Sequence, residues 1–309
     1  MKSKSRTIIS EREVDLLFFL WRHRVSTFQT LRQLFYPSTG AETAYNRLRR
    51  LRAADFVGTE YTEGNGKTVW CLGERGFRLL EAMRLPDLKS KGYRPSSPTH
   101  DLLVMGALLG EWYQKTPSGV SVITEQELLT TEPSGIPAKV LENFKHRPDG
   151  LWLTTYAREP SAIALEVEIS GKSVTRYEET CSFYGGFHFI ENVVWIVPDR
   201  SLAKKIQTIA SATTMPRDGQ NLFVLLEDFE SKLWDAKILN ASLKGMSMSG
   251  FLRERLERPD PSTIGRSIGP LIEDCSSKPR GPTKSPLLDC ALSIERFNAY
   301  IKLRKPPDR

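Results

Sequence analysis

Three acidic residues fall where a strand-based catalytic site would need them. Asp149 lies in His146-Arg147-Pro148-Asp149-Gly150, ahead of the apolar Leu151-Trp152-Leu153. Glu166 and Glu168 lie in Ile163-Ala164-Leu165-Glu166-Val167-Glu168-Ile169, with Lys172 following. Alternate residues of a strand share a face. Ile163, Leu165, Val167 and Ile169 therefore fall on one side, and Ala162, Ala164, Glu166 and Glu168 on the other. The alanines leave room beside the carboxylates, and Asp149 on a neighbouring strand could join them. Converging carboxylates suit a hard divalent cation such as Mg²⁺ or Mn²⁺, and such a site hydrolyses phosphodiesters with metal assistance. The same alternation also describes the solvated face of a one-sided sheet. Two features weigh against that second reading: the small alanines, and an acid-bearing segment close upstream.

The elements that would carry these acids follow a Pro-rich stretch, residues 85–98, which reads as a linker. A helix is expected from Thr99 to about Gln114, with His100 in its first turn as a surface or capping residue. A short apolar run, Val120–Ile123, ends at Thr124-Glu125, and a loop with Pro133, Gly135 and Pro137 comes next. After the two acid-bearing strands come a helix from Ser173 to about Tyr184, a strand over 192–197, a helix over 202–210 and a strand over 221–226. This alternation implies a mixed sheet with helices on its faces. One further helical stretch is expected from Glu227 to about Leu256. The remainder, 257–309, is rich in Pro, Ser and Gly and reads as a largely disordered basic tail, with a short helix at Asp289–Lys302.

Upstream, Ser10 and Glu13 form a capping box before the amphipathic run Val14–Trp21. A break at 23–26 precedes a short helix, Thr27–Phe35, and a third helix spans about Ala41–Ala54 with Ala44, Leu48 and Leu51 as its buried stripe. Two strands, Val57–Thr62 and Thr68–Leu72, flank Glu63-Gly64-Asn65-Gly66-Lys67, and Asn-Gly there signals a hairpin. A helix over 74–83 closes the unit. Three helices and a hairpin form the winged helix-turn-helix plan, in which the third helix enters the DNA major groove. Between Arg22 and Arg52 stand seven arginines and one acid, Glu42. Thr43, Asn46, Arg47, Arg49 and Arg50 are the candidates for groove contacts, and Lys67 at the wing tip for a phosphate. An arginine-rich solvated face in a protein-binding module is the alternative.

The 309 residues carry 44 Lys and Arg against 37 Asp and Glu. The excess is uneven: 16 against 10 in residues 1–90, 16 against 19 in 91–249, and 12 against 8 in 250–309. Basic flanks around a mildly acidic middle point to nucleic acid at the ends, and the winged-helix plan makes double-stranded DNA the expected partner. No apolar run reaches membrane-spanning length, and no signal-peptide core follows the basic Met1-Lys2-Ser3-Lys4. No membrane partner and a cytoplasmic location are therefore expected. Four scattered cysteines and four scattered histidines indicate neither a disulfide framework nor a zinc site.

The order helix, Glu, Asp strand, Glu-x-Glu strand, helix resembles the PD-(D/E)XK nuclease superfamily. With the winged helix in front, the chain resembles the replication-relaxation family of plasmid and integrative-element proteins, similar to MobC-type relaxases. The resemblance covers roughly residues 8–228. It is carried by the Arg-rich helix up to Asp55-Phe56-Val57, Leu72-Gly73-Glu74-Arg75-Gly76, Thr99-His100-Asp101-Leu102, Arg147-Pro148-Asp149-Gly150, and Glu166-Val167-Glu168 with Lys172-Ser173. It implies an α+β chain, a winged helix (1–84) followed by a mixed-sheet nuclease-like domain (99–256). It also implies a metal held by Asp149 and Glu166, with Glu125 as a third acid. The superfamily pattern has a lysine where this chain has Glu168, and Lys172 could swing back to replace it. The implied activity is metal-dependent nicking of an origin-type site in plasmid mobilisation, conjugation or replication, alongside relaxosome proteins. Three other readings stay open: a non-enzymatic transcriptional regulator, a relaxosome accessory factor, and a restriction or transposition endonuclease. No tyrosine motif with a neighbouring histidine triad is present, so a tyrosine-linked relaxase is disfavoured. Tyr177 and Tyr184 read as packing residues.

Overall fold

A computed structural model describes residues 8–63, 66–83, 93–113, 115–117, 119–130, 136, 145–154, 161–213, 220–243 and 245–256. The chain is mixed α and β, with one antiparallel and one mixed sheet among the described residues. The expected tail, its short helix and most of the linker lie outside the described residues.

Helix α1 (Glu11–His23) starts at the anticipated capping box, with both reciprocal bonds between Ser10 and Glu13 formed. It ends at Arg24, whose φ of 61° is uncommon for a residue with a Cβ. The break after α1 is in fact a two-residue strand, β1 (Val25–Ser26), paired antiparallel to β3. Helices α2 (Phe28–Phe35) and α3 (Ala41–Ala53) follow, then the hairpin β2 (Val57–Tyr61) and β3 (Thr68–Leu72), then α4 (Glu74–Ala82). Leu16, Leu17, Leu20 and Trp21 of α1 share a core with Leu31, Leu48, Leu51, Phe56 and Leu80.

Helix α5 (Pro98–Leu109) stops five residues short of the expected Gln114. Gly110 ends it at φ 40°, and a Cβ there would stand 1.9 Å from the Trp234 ring. That indole donates to the Ala107 carbonyl (2.7 Å), and the Trp152 indole donates to Leu108 (3.0 Å). Strand β4 (Val120–Thr124) leads into the short α6 (Glu125–Leu128), capped by Thr124. Strands β5 (Gly150–Thr154) and β6 (Ser161–Val167) precede α7 (Val174–Gly186), β7 (Ile190–Val197), α8 (Arg200–Thr213) and β8 (Asn221–Leu225). The sheet order is β4-β5-β6-β7-β8. The first three strands run antiparallel and the last three parallel. The stretch after Glu227 is not one helix. It is α9 (Leu226–Lys232), short 3₁₀ turns, two antiparallel bridges and α10 (Met248–Leu256), because Trp234, Ala236 and Ile238 are drawn into the core.

Both faces of the sheet are covered, which removes the solvated-face reading of β6. Ile163, Leu165 and Val167 pack with α5, α9 and α10. Ala162 and Ala164 pack with Tyr177, Tyr184, Ile206 and Trp195. The alanines therefore serve close approach of α7 and its tyrosines. Two arginines at the C-terminal end of α1 tie the N-terminal core to the sheet: Arg22 donates to Val122 O (2.7 Å) and Glu127 (3.0 Å), and Arg24 pairs with Glu125 (2.7 Å) and Asp101 (3.3 Å).

Candidate functional site

The site forms where β5 begins and β6 ends. Asp149 immediately precedes β5; its backbone N–H donates to Leu165 O (3.1 Å), and its carboxylate Oδ2 accepts the Val167 N–H (2.7 Å). The Asp149 side chain is thus locked against the end of β6. Gly150 allows the helix above to come close, since a Cβ there would lie 2.5 Å from Leu108 of α5. That approach brings in a residue expected at the surface or as a cap. His100 Nε2 stands 3.1 Å from Val167 O and 3.5 Å from Asp149 Oδ2, while Nδ1 faces Asp101 at 3.6 Å. Burial opposes the imidazolium, but Asp101 and Asp149 hold the pKa of His100 up to about 10. At neutral pH a fixed cation therefore sits between a carboxylate and a main-chain carbonyl.

Glu166 and Glu168 are 4% and 3% exposed. Glu166 Oε1 lies 2.7 Å from His146 Nε2 and accepts a short bond from the Tyr184 hydroxyl. Tyr184 is therefore more than the packing residue it reads as in sequence. Burial raises the Glu166 pKa and the neighbouring Asp149 charge raises it further, against the pull of His146 and Tyr184. Burial also raises Glu168, and Lys172 lowers it. Lys172 Nζ donates to Glu168 Oε1 at 2.7 Å, so the lysine does turn back toward the acids from beyond the strand. Burial works against its charge, but Glu168 first, then Glu166 and Asp149, raise its pKa. Its backbone N–H donates to the Tyr177 hydroxyl (3.1 Å), which pins the loop into α7.

Two expected site residues are placed elsewhere. Glu125 does not converge with Asp149 and Glu166: its carboxylate is engaged by Arg24, because the C-terminal end of α1 packs against α6. Arg47 is not presented to solvent for a groove. Its guanidinium bonds Glu13 through two nitrogens and Ile8 O at 2.5 Å. Glu13 is 1% exposed and needs that charge. Burial raises the Glu13 pKa, but Arg47 and the Ser10 N–H outweigh it, leaving a net depression. The other α3 candidates, Thr43, Asn46, Arg49 and Arg50, are exposed, as is Lys67 at the hairpin end.

Among the described residues no three His, Cys, Asp or Glu side chains form a ready-made metal cage. The donor types nonetheless fit a hard cation at one place. Asp149 and Glu166 repel each other, and Asp149 Oδ2 and Val167 O already share one positive group, His100. A magnesium-like ion needs only one or two carboxylates, with water completing its shell. Glu125 falls outside that fit.

Sequence reasoning missed His100, His146 and Arg24. The available signals were a His-Asp pair just inside a Pro-started helix and a His three residues before Asp149.

No protein-family model matches the chain, and no curated protein matches it. Two solved structures resemble it: the restriction endonuclease FokI bound to DNA, and a second structure of FokI. Each is 10% identical at TM-score 0.22 and covers 72% of this chain, but only 45% and 44% of the FokI chain. The chain thus spans under half the length of FokI, and so faint a likeness carries no argument about activity. Among the described residues no helix is long and apolar enough to cross a membrane.

Proposed function

We propose that this chain is a DNA-binding nickase of the replication-relaxation kind. In this reading the N-terminal three-helix and hairpin unit is a winged helix that finds an origin-type duplex site of a mobile element, and the sheet unit hydrolyses one phosphodiester there. The observation that carries the reading is the meeting of Asp149, Glu166, Glu168, Lys172 and His100 at one end of β5 and β6, with Glu166 and Glu168 shielded from water.

Asp149 and Glu166 are the residues that would hold Mg²⁺ or Mn²⁺, which when bound polarises phosphate and lowers the pKa of a bound water. The chain's own groups have separable roles. Val167 N–H and His100 fix the Asp149 carboxylate, while His146 and Tyr184 fix Glu166. Glu168 aims the Lys172 ammonium, a donor for charge that develops on the phosphoryl oxygens. Thr43, Asn46, Arg49 and Arg50 read the groove, and Lys67 meets a phosphate. Arg47 drops out of that set because it is committed to Glu13.

One observation favours a rival, a DNA-binding regulator or accessory factor with a silent second half. Lys172 is paired to Glu168, and Asp149 is bonded to Val167 and faced by His100, so the acids are partly satisfied without any ligand.

The test is metal-dependent relaxation of a supercoiled plasmid carrying the element's own origin. Wild type is compared with Asp149→Ala and Glu166→Ala, and duplex binding is measured in parallel. Nicking that both substitutions abolish while binding survives is the expected result. Site-specific binding without nicking by any of the three would transfer the assignment to the rival. Binding should also weaken with salt by about 0.9 in log–log slope per phosphate contacted, and a salt-insensitive complex would sink the winged-helix half.

A further inference from the structure

Beside the acid site, along α7 and the turn before β7, lies an open cleft of about 980 Å³. Its floor is a row of aromatic rings. Phe183 and Phe187 have centroids 5.0 Å apart, and Phe187 and Phe189 6.1 Å apart. At the near end the row continues to His146, 5.7 Å from Phe183. His146 is the residue that bonds Glu166. The three phenylalanines are only partly buried against the sheet core. Exposed Lys145, Arg176 and His188 line the cleft, with Glu179 as the one acid among the described lining residues.

We propose that this cleft binds single-stranded DNA, with unpaired bases stacked on the phenylalanine row and the backbone against Lys145 and Arg176. Three features point to that ligand. Aromatic faces bordered by cations are what binding an unpaired strand requires, because every base offers a π face and every linkage a negative charge. A duplex is a poor occupant, since its bases are already stacked and turned away from the phosphates. The row also ends on His146, so a strand lying along it leads to Glu166. A basic stretch of this chain is disfavoured as occupant by the cations along the cleft.

The inference builds on the DNA-processing reading, but it can fail or hold separately. Full-length protein in chelator is titrated into a labelled oligothymidine of about 12 nucleotides, with fluorescence anisotropy as the readout. Phe183→Ala with Phe187→Ala should weaken binding by roughly tenfold or more. Those rings touch the core, so a second pair guards against misfolding. Lys145→Ala with Arg176→Ala, at exposed positions, should weaken binding and reduce the salt dependence by about 0.7 in slope per charge removed. Unchanged affinity in both pairs would overturn the proposal, as would inorganic polyphosphate competing as well as the oligonucleotide, since charge alone would then explain binding. Nicking is scored separately. A chain that nicks nothing, yet loses oligothymidine on these substitutions, fails the catalytic reading and keeps the cleft.

Discussion

Glu13 and Glu166 are both nearly sealed from water, at 1% and 4% exposure, yet the molecule treats them in opposite ways. Glu13 meets a permanent cation: Arg47 grips both its oxygens, Tyr36 adds a hydroxyl (3.3 Å), and the pKa is depressed despite burial. Glu166 meets only a histidine and a tyrosine, so burial, with the repulsion of a neighbouring carboxylate, leaves its pKa raised. A buried acid with its own arginine is a structural tie between helices. A buried acid given only weaker donors and a like-charged neighbour stores unfavourable charge that an incoming cation can relieve. On the proposed reading, the difference separates scaffold from site.

That contrast can be broken most directly at Glu166. Glu166→Gln should reduce nicking by roughly a thousandfold without lowering the melting temperature, since the amide removes a charge that burial disfavours. Preserved nicking, or a large loss of stability, would put Glu166 in the same class as Glu13. The converse experiment is Arg47→Met, which strands the Glu13 carboxylate. It should cost about 3 kcal/mol in denaturant unfolding, and a neutral outcome would show that Arg47 is dispensable to the fold and restore it as a groove candidate.

A smaller effect is expected at Lys172, which is half-exposed and paired to Glu168. Lys172→Met should slow nicking about a hundredfold with little change in unfolding. An unaltered rate would mean the lysine only neutralises Glu168. The smallest effect is one of pH. His23 is buried, its ring nitrogens have no hydrogen-bond partner among the described residues, and burial, with Arg22 beside it, sets its pKa well below 6.5. The unfolded chain therefore takes up a proton below pH 6.5 that the folded chain refuses. Stability is complete above 6.5 and falls as pH drops toward the folded value, by at most about 1.4 kcal/mol per pH unit. Glu13 adds loss in the same direction only below about 4.5, its ordinary value. His23→Leu should flatten the melting profile between pH 6.5 and 5, and an unchanged slope there would assign the acid lability to other groups.

Much of the fold was legible because it rests on local signals. The capping box at Ser10, the Ala44-Leu48-Leu51 stripe, and the alternation through Ile163, Leu165 and Val167 act over a few residues. The errors have long-range causes. The stretch after Glu227 has helical composition, but long-range burial of Trp234 and Ile238 breaks it. Helix α5 stops early because Trp234, more than 120 residues later, occupies the space beside Gly110. For the site, Asp149, Glu166 and Glu168 could be named from strand spacing, and Lys172 from its distance past the strand. Their partners could not.

The sequence by itself determined most of the longer helices and strands, the apolar face of each, and which acids share a strand, because these depend on neighbours within a turn or a pleat. Only the tertiary structure decided which charges are already satisfied. Arg47 belongs to Glu13, Arg24 to Glu125, His100 to Asp149 and His146 to Glu166. Those pairings span from 20 to 101 positions along the chain, and they follow from where packing excludes water, since burial is what makes an unpaired charge costly enough to dictate its partner.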